Sequence, residues 1–149
     1  MERSSWDEHF MEIAKVVSKR STCLRRQVGA AFVLDKRIIA TGYNGAPRGL
    51  KHCKETGCLR EQMNVPSGEW HELRRGVHAE ANCIVQAALH GVSVRGATMY
   101  ITHTPCSFCL RMLLNLGLVE IVCEESYPDP LAAVLLKDSD LQLRFLPRP

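Results

Sequence analysis

His78-Ala79-Glu80-Ala81-Asn82-Cys83-Ile84-Val85-Gln86-Ala87-Ala88-Leu89-His90-Gly91 opens the stretch that decides the fold. It continues through Ala97-Thr98-Met99-Tyr100-Ile101-Thr102 to Thr104-Pro105-Cys106-Ser107-Phe108-Cys109. Ala81, Ile84, Val85, Ala88 and Leu89 recur at helical spacing over residues 79–90, and Gly91 is placed to end that helix. Residues 97–102 read as a buried strand. Pro105 suits a helix start, and the pattern runs on to Leu116, ahead of Gly117. A strand over 119–123, a helix over 130–137 and a strand over 141–146 follow. Strands alternating with helices imply an α/β fold, its sheet covered on both faces, with parallel neighbours in its second half.

Nearer the N-terminus, Ser5 and Glu8 resemble a capping box. Trp6, Phe10, Ile13, Ala14 and Val17 then mark an amphipathic helix reaching Lys19. Residues 28–34 and 37–43 form a hairpin across the polar turn Asp35-Lys36. Asn44-Gly45-Ala46-Pro47-Arg48-Gly49 is loop chemistry. Over residues 50–77 the periodicity disappears, and this segment carries His52, Cys53, Cys58 and His71. So long an irregular stretch is usually functional or held by something. With no internal repeat, low-complexity tract or linker, residues 1–149 are expected to form one domain.

The composition, 46% hydrophobic and 23% charged, is that of a soluble globular protein. The apolar run 28–40 is broken by Asp35, Lys36 and Arg37, so no membrane span is expected. The polar, acidic start, Met1-Glu2-Arg3-Ser4-Ser5-Trp6-Asp7-Glu8, is unlike a signal peptide, and the expected location is cytoplasmic. A net charge of +3 calls for no nucleic-acid partner and does not oppose an anionic substrate. The basic pairs Arg25-Arg26 and Arg74-Arg75 have a solvated face as their plain reading. Seven cysteines without an export signal point to metal or catalysis rather than disulfides. Cys83 and Cys123, set among apolar residues, read as buried thiols.

His78, Cys106 and Cys109 supply imidazole and thiolate donors for zinc, leaving a fourth tetrahedral position for water. Helix N-terminal amides favour thiolates, and both helix starts can meet above the ends of adjacent strands. Glu80 is the carboxylate placed to move protons. Each residue alone has a plainer reading. Cys106 and Cys109 could be a redox dithiol or half a structural zinc site, His78 a helix-start histidine, and Glu80 an acid favoured by the helix dipole. The joint H-x-E…P-C-x-x-C spacing outweighs them, because it matches a known hydrolytic mechanism.

On these residues the chain resembles the cytidine and deoxycytidylate deaminase superfamily, and within it the deoxycytidylate (dCMP) deaminases. The resemblance spans residues 14–145. It is carried by Gln27-Val28-Gly29-Ala30, Gly42-Tyr43-Asn44-Gly45, His78-Ala79-Glu80 and Thr104-Pro105-Cys106-Ser107-Phe108-Cys109. It implies a three-layer α/β/α sandwich around a five-stranded mixed sheet. It also implies hydrolysis of dCMP to dUMP and ammonia by attack at C4, with Glu80 shuttling protons. Asn44 is then expected to hydrogen-bond the sugar, while backbone near Ala79 and Thr104 contacts the base. Asn44 also reads as a turn residue before Gly45. A phosphate needs charge and fixed donors, for which Arg25 and Arg26 are the candidates, with Arg48 behind them.

The resemblance further implies a homo-hexamer, activation by dCTP with Mg2+, and inhibition by dTTP. Some relatives carry a second, structural zinc. Cys23, Cys53 and His71 match three of its ligand positions, but Arg74 stands near the fourth, and arginine cannot ligate zinc. Cys58 or His52 could substitute. Cys53 and Cys58 otherwise read as reduced loop thiols. Two rivals remain open at this point. One is a deaminase for another base, such as adenosine in tRNA or guanine. The other is a non-catalytic zinc-stabilised binding module of the nucleic-acid or competence-related kind, which would have no need of Glu80.

Overall fold

Ser5 caps helix α1 (Trp6–Ser18) in the way its sequence suggests. Its Oγ accepts from the Glu8 amide at 3.2 Å, and the Glu8 carboxylate accepts from the Ser5 amide at 2.8 Å. The computed structural model to which these distances belong describes residues 1–67, 69–70 and 73–147. Strands β1 (Gly29–Leu34) and β2 (Arg37–Tyr43) follow as an antiparallel hairpin. Asp35 and Lys36, at φ 51° and 60°, turn it through two left-handed residues, the turn whose twist matches that of the strands. A bulge between Phe32 and Val33 lets this register accommodate one extra residue.

Beyond the hairpin the chain forms two single-turn helices, α2 (Cys53–Thr56) and α3 (Leu59–Gln62), within the segment read as irregular. The second half then alternates as expected: α4 (Ala79–Leu89), β3 (Thr98–His103), α5 (Ser107–Leu114), β4 (Glu120–Glu125), α6 (Pro130–Asp138) and β5 (Gln142–Phe145). Boundaries differ from the sequence reading by one or two residues. The larger difference is at the fifth helix, where Pro105 lies outside and Cys106 is the N-cap. Among the described residues no helix is long and apolar enough to cross a membrane.

The five strands lie in the order β2-β1-β3-β4-β5. Pairing is antiparallel between β1 and β3 and parallel from β3 through β4 to β5, which makes the sheet mixed. On one face Phe10, Met11 and Ala14 of α1 pack with Val33, Tyr100 and Val122. On the other, Ala79, Cys83 and Ala87 of α4, Leu110 and Leu113 of α5, and Ala132 of α6 share a core with Phe32, Met99, Ile101 and Ile121. Helices thus cover both faces, and the fold is the three-layer α/β/α sandwich. Cys83 and Cys123 are fully buried within it.

Two side-chain clusters tie α1 to the sheet. Arg144 of β5 donates to both Asp7 oxygens at 2.7 and 3.0 Å and to Glu120, while Tyr100 Oη donates to Asp7 at 2.7 Å. These Arg144 bonds hold the Asp7 carboxyl below the usual aspartate range. Lys15 reaches Glu124 at 2.7 Å.

Gly42 sets how closely α4 approaches β2. A Cβ there would fall on the Ala79 carbonyl and the Cys83 amide, both backbone atoms of the first turns of α4. Gly42→Ala must therefore push that helix off the sheet. We expect it to cost about 1–3 kcal/mol in a thermal melt. Because His78 and Glu80 ride on the displaced end, zinc retained per chain after dialysis should fall below the parent level.

Candidate metal centre and active site

The end of the long insertion is fixed before the site begins. Val77 and Gly45 form an isolated antiparallel bridge, their amides and carbonyls meeting at 2.8 and 3.1 Å. Asn82 Nδ2 donates to the Tyr43 carbonyl at 2.8 Å, holding the first turn of α4 against the same loop. His78 is the N-cap of α4 and Cys106 the N-cap of α5, both with extended backbone. Cys109 follows in the first turn of α5. Asp129, which caps α6, also accepts from the Ser107 amide at 2.7 Å and so steadies the start of α5.

This brings the two helix starts together. His78 Nδ1 lies 3.5 Å from Cys106 Sγ and 3.3 Å from Cys109 Sγ. All three ligand atoms fall within 4.8 Å of one another, and no other described residues form such a group. A tetrahedral zinc ion, with bonds of about 2.0–2.1 Å to nitrogen and about 2.3 Å to sulfur, separates its nitrogen and sulfur ligands by about 3.6 Å. The donor set and its spacing therefore fit Zn2+. The two thiols share a proton: the bond from Cys109 favours the Cys106 thiolate, and the same bond pushes Cys109 up.

Glu80 is 4% exposed. Burial pushes its carboxyl above the ordinary glutamate range, against the pull of His78. A carboxyl in that state can hold a proton and pass it on.

His78, Glu80 and Cys106 line a cavity of about 340 Å³. Of the residues predicted to bind substrate, Asn44, Ala79, Thr104, Arg25 and Arg26 all line it. Asn44, 4% exposed, accepts from the Val28 amide at 2.8 Å and donates to the Arg26 carbonyl at 2.7 Å. Its side chain thus holds the Arg26–Val28 backbone at the wall of the cavity, and its φ is not left-handed, so the turn reading of Asn44 does not apply. Thr104 is joined to Tyr127 through Oγ1, which accepts from the Tyr127 amide at 2.6 Å. Arg48 is placed elsewhere, on a second cavity beside Tyr43 and Gly45.

The sequence reading missed Arg60, Arg74, His103 and Tyr127, which share the wall with those residues. His103 is marked by its place two residues before Pro105, but no spacing rule draws Arg60 into the site. Cys23, Cys53 and Cys58 line a separate small cavity of about 20 Å³ with Arg74 and Arg75. Burial, together with the neighbouring Cys23 and Cys58, pushes the Cys53 thiol up. The three cysteines do not meet the 4.8 Å grouping of the first centre. His71 lies outside the described residues. His52 is engaged with Thr22, Nδ1 to Oγ1 at 2.8 Å.

Residues 4–125 match the family model for the cytidine and deoxycytidylate deaminase zinc-binding region. A deoxycytidylate deaminase of Schizosaccharomyces pombe is 40% identical over 143 residues, covering 95% of this chain and 44% of its own length. A deoxycytidylate deaminase of Mycobacterium phage D29 is 36% identical, covering 82% of this chain and 96% of its own. The chain thus spans less than half of the yeast relative and nearly all of the phage one. The crystal structure of a dCMP deaminase from the cyanophage S-TIM5, in complex with dCMP and dUMP, superposes with a TM-score of 0.78 at 25% identity. It covers 98% of this chain and 100% of its own. Sequence and fold agree, and the chain belongs to the cytidine and deoxycytidylate deaminase family.

Proposed function

We propose that this chain hydrolyses dCMP to dUMP and ammonia, with His78, Cys106 and Cys109 holding Zn2+ and Glu80 moving the protons. The observation that carries this reading is the buried Glu80 carboxyl beside the His78, Cys106 and Cys109 donor set, in one cavity. When bound there, zinc supplies the Lewis acidity that makes water a nucleophile near neutral pH. Glu80 takes a proton from the attacking water as the C4–O bond forms. It delivers that proton to ring N3, then carries the second proton of the former water to the amino nitrogen as the C4–N bond breaks, so ammonia leaves neutral, dUMP has its C4 carbonyl and N3–H, and Glu80 is ionised again. In this reading backbone near Ala79 and Thr104 contacts the base, Asn44 the sugar, and Arg25 and Arg26 the phosphate, which is supported by all five residues lining the cavity of His78 and Glu80. The deoxycytidylate deaminases at 36–40% identity and the dCMP-bound neighbour support this choice of substrate.

Residues 1–149 act in this reading as one cytoplasmic domain, repeated in a homo-oligomer of hexameric type. Exposed Val85 and Leu89 on α4, Phe108 on α5, and Leu131 and Val134 on α6 support association, since such apolar groups gain by being covered. The second cavity, of about 660 Å³, is lined by Tyr43, Gly45, Arg48 and His52. It supports binding of dCTP with Mg2+, and of dTTP, beside the Gly42–Gly45 segment. A structural zinc at Cys23 and Cys53, with His71 or Cys58, belongs to the same reading, its support being that the three cysteines line one small cavity.

Three outcomes test it. Glu80→Ala should lower kcat on dCMP by about 10³-fold while zinc per chain stays at the parent value. An unchanged kcat would remove Glu80 from the mechanism. Stripping the metal with a chelator should abolish turnover, and Zn2+ added back should restore it; activity that survives demonstrated metal loss would contradict the zinc role. The dCMP saturation curve should sharpen and shift to lower concentration with dCTP and Mg2+, whereas an identical curve counts against regulation.

A further inference from the structure

The face of β3 that carries Met99 and Ile101 into the core continues, two residues on, with His103. On β4 the matching run is Ile121, Cys123 and Glu125. The apolar alternation thus ends in a polar pair, and His103 with Glu125 is the last rung of the β3–β4 ladder. His103 Nε2 lies 2.9 Å from Glu125 Oε2, and the His103 side chain is 15% exposed. A carboxylate only accepts, so Nε2 carries the hydrogen of this bond whether or not the ring is charged. Nδ1 meets Thr102 Oγ1 at 2.8 Å, and that oxygen accepts from the Gly29 amide at 3.2 Å. Both ring nitrogens are therefore engaged, and the ring is tied to β1 and β4.

His103 lines the cavity of His78 and Glu80 beside Thr104. Thr104 is held by the same stretch of chain as His103. Its amide donates to the Glu125 carbonyl at 2.9 Å. Its Oγ1 accepts from the Tyr127 amide at 2.6 Å and donates to the Tyr127 carbonyl at 3.2 Å. The next residue, Pro105, has no amide hydrogen, and Cys106 is already the N-cap of α5. Thr104 is therefore the last amide that can anchor this turn to the sheet before the metal donors begin. Glu125 grips the turn twice, by its side chain through His103 and by its carbonyl through Thr104. An exposed ion pair contributes little to stability, but this one stands where a shift of the wall moves the base against the reacting water.

We propose that His103 is a positioning residue for the deamination: paired with Glu125, it fixes the Thr104–Cys106 turn and so sets the base-contacting backbone in register with the metal centre. The inference rests on the dCMP reading and goes beyond it, giving a role to two residues outside the donor set.

The experiment compares the zinc-loaded parent with His103→Leu, Glu125→Ala, Glu125→Gln and the double variant His103→Leu/Glu125→Ala. In His103→Leu and Glu125→Ala, kcat on dCMP should fall about 10–100-fold with KM within about threefold, as misplacement of a bound substrate predicts. Zinc per chain should stay at the parent value. The double variant should lose no more than either single one, since both remove the same bond. Glu125→Gln should keep kcat close to the parent, because its amide oxygen still accepts from Nε2–H. A parental kcat in both single variants overturns the proposal. So does a loss in Glu125→Gln as large as in Glu125→Ala, which would make charge the active property, or a fall in zinc per chain that matches the fall in kcat.

If His103→Leu fails to fold, Glu125→Ala carries the test, its side chain being 40% exposed. Amide hydrogen exchange, followed by NMR, reads the clip without turnover. Exchange of the Thr104 amide should quicken about 10-fold in Glu125→Ala, the effect of losing one hydrogen bond, and stay parental in Glu125→Gln. Unchanged protection in Glu125→Ala overturns the proposal. A parent that does not deaminate dCMP would refute the dCMP reading, while the exchange rates would still decide whether Glu125 and His103 hold the turn.

Discussion

The close seating of α4 on β2 at Gly42 is the constraint on which the site depends. A helix axis normally stands off a sheet by the bulk of intervening side chains. Here the absent Cβ of Gly42 lets the Ala79 carbonyl and the Cys83 amide come down onto the strand. The start of α4 is thereby placed by backbone against backbone, which moves less than side-chain packing does. On the same face, α5 is set by Leu110 and Leu113 in the core and by Asp129 at its first amide. Two helix ends are thus located independently by rigid elements. His78 and Cys106 are the residues at which those ends begin.

Placing donors at N-caps has an electrostatic consequence. Helix amides without intrahelical partners gather around the site and favour negative charge there, as thiolates require. The pair Cys106 and Cys109 already tends to one thiolate by sharing a proton, and His78 Nδ1 sits within reach of both sulfurs. With both thiols ionised, the donor set carries the charge that a divalent cation balances. Glu80 is left outside that set, buried, with its carboxyl pushed towards the protonated form. One carboxyl thus remains available for proton transfer while the sulfurs are committed to metal.

These relations explain which parts were legible in the sequence. Periodicity in residues 79–90 and the alternation after it reported burial on one face, so element type and order could be read. The donor residues were legible because their types and spacing are constrained by tetrahedral geometry. The placement of Cys106 was less so: Pro105 is compatible with the first helical turn or with the position before the cap, and only the backbone distinguishes them. From its neighbours alone Asn44 reads as a sugar ligand or a turn residue. Its actual bonds, to Val28 and Arg26 across the strand ends, depend on a long-range approach that local patterning does not encode. Arg60 and Tyr127 were missed for the same reason, since Arg60 reaches the cavity from the single turn of α3 and Tyr127 from the loop after β4, and neither stretch is long enough to show periodicity.

Arg74 shows how a local reading can be correct in its chemistry and incomplete in its meaning. As a guanidinium it cannot ligate zinc, and its position argues against a closed four-ligand site in the insertion. The structure adds that Arg74 lines both the cysteine cavity and the cavity of His78 and Glu80. Arg60 does the same from the single turn of α3. The wall between the two cavities therefore includes cations, where a metal ligand would have been neutral or anionic. That exchange changes what the insertion contributes to the site. A neutral or anionic ligand facing the thiols would serve the fold of the loop alone, whereas a guanidinium there also adds positive charge to the lining of the active cavity. The same residue that weakens the case for metal in the insertion thus strengthens the case for an anionic ligand beside Glu80.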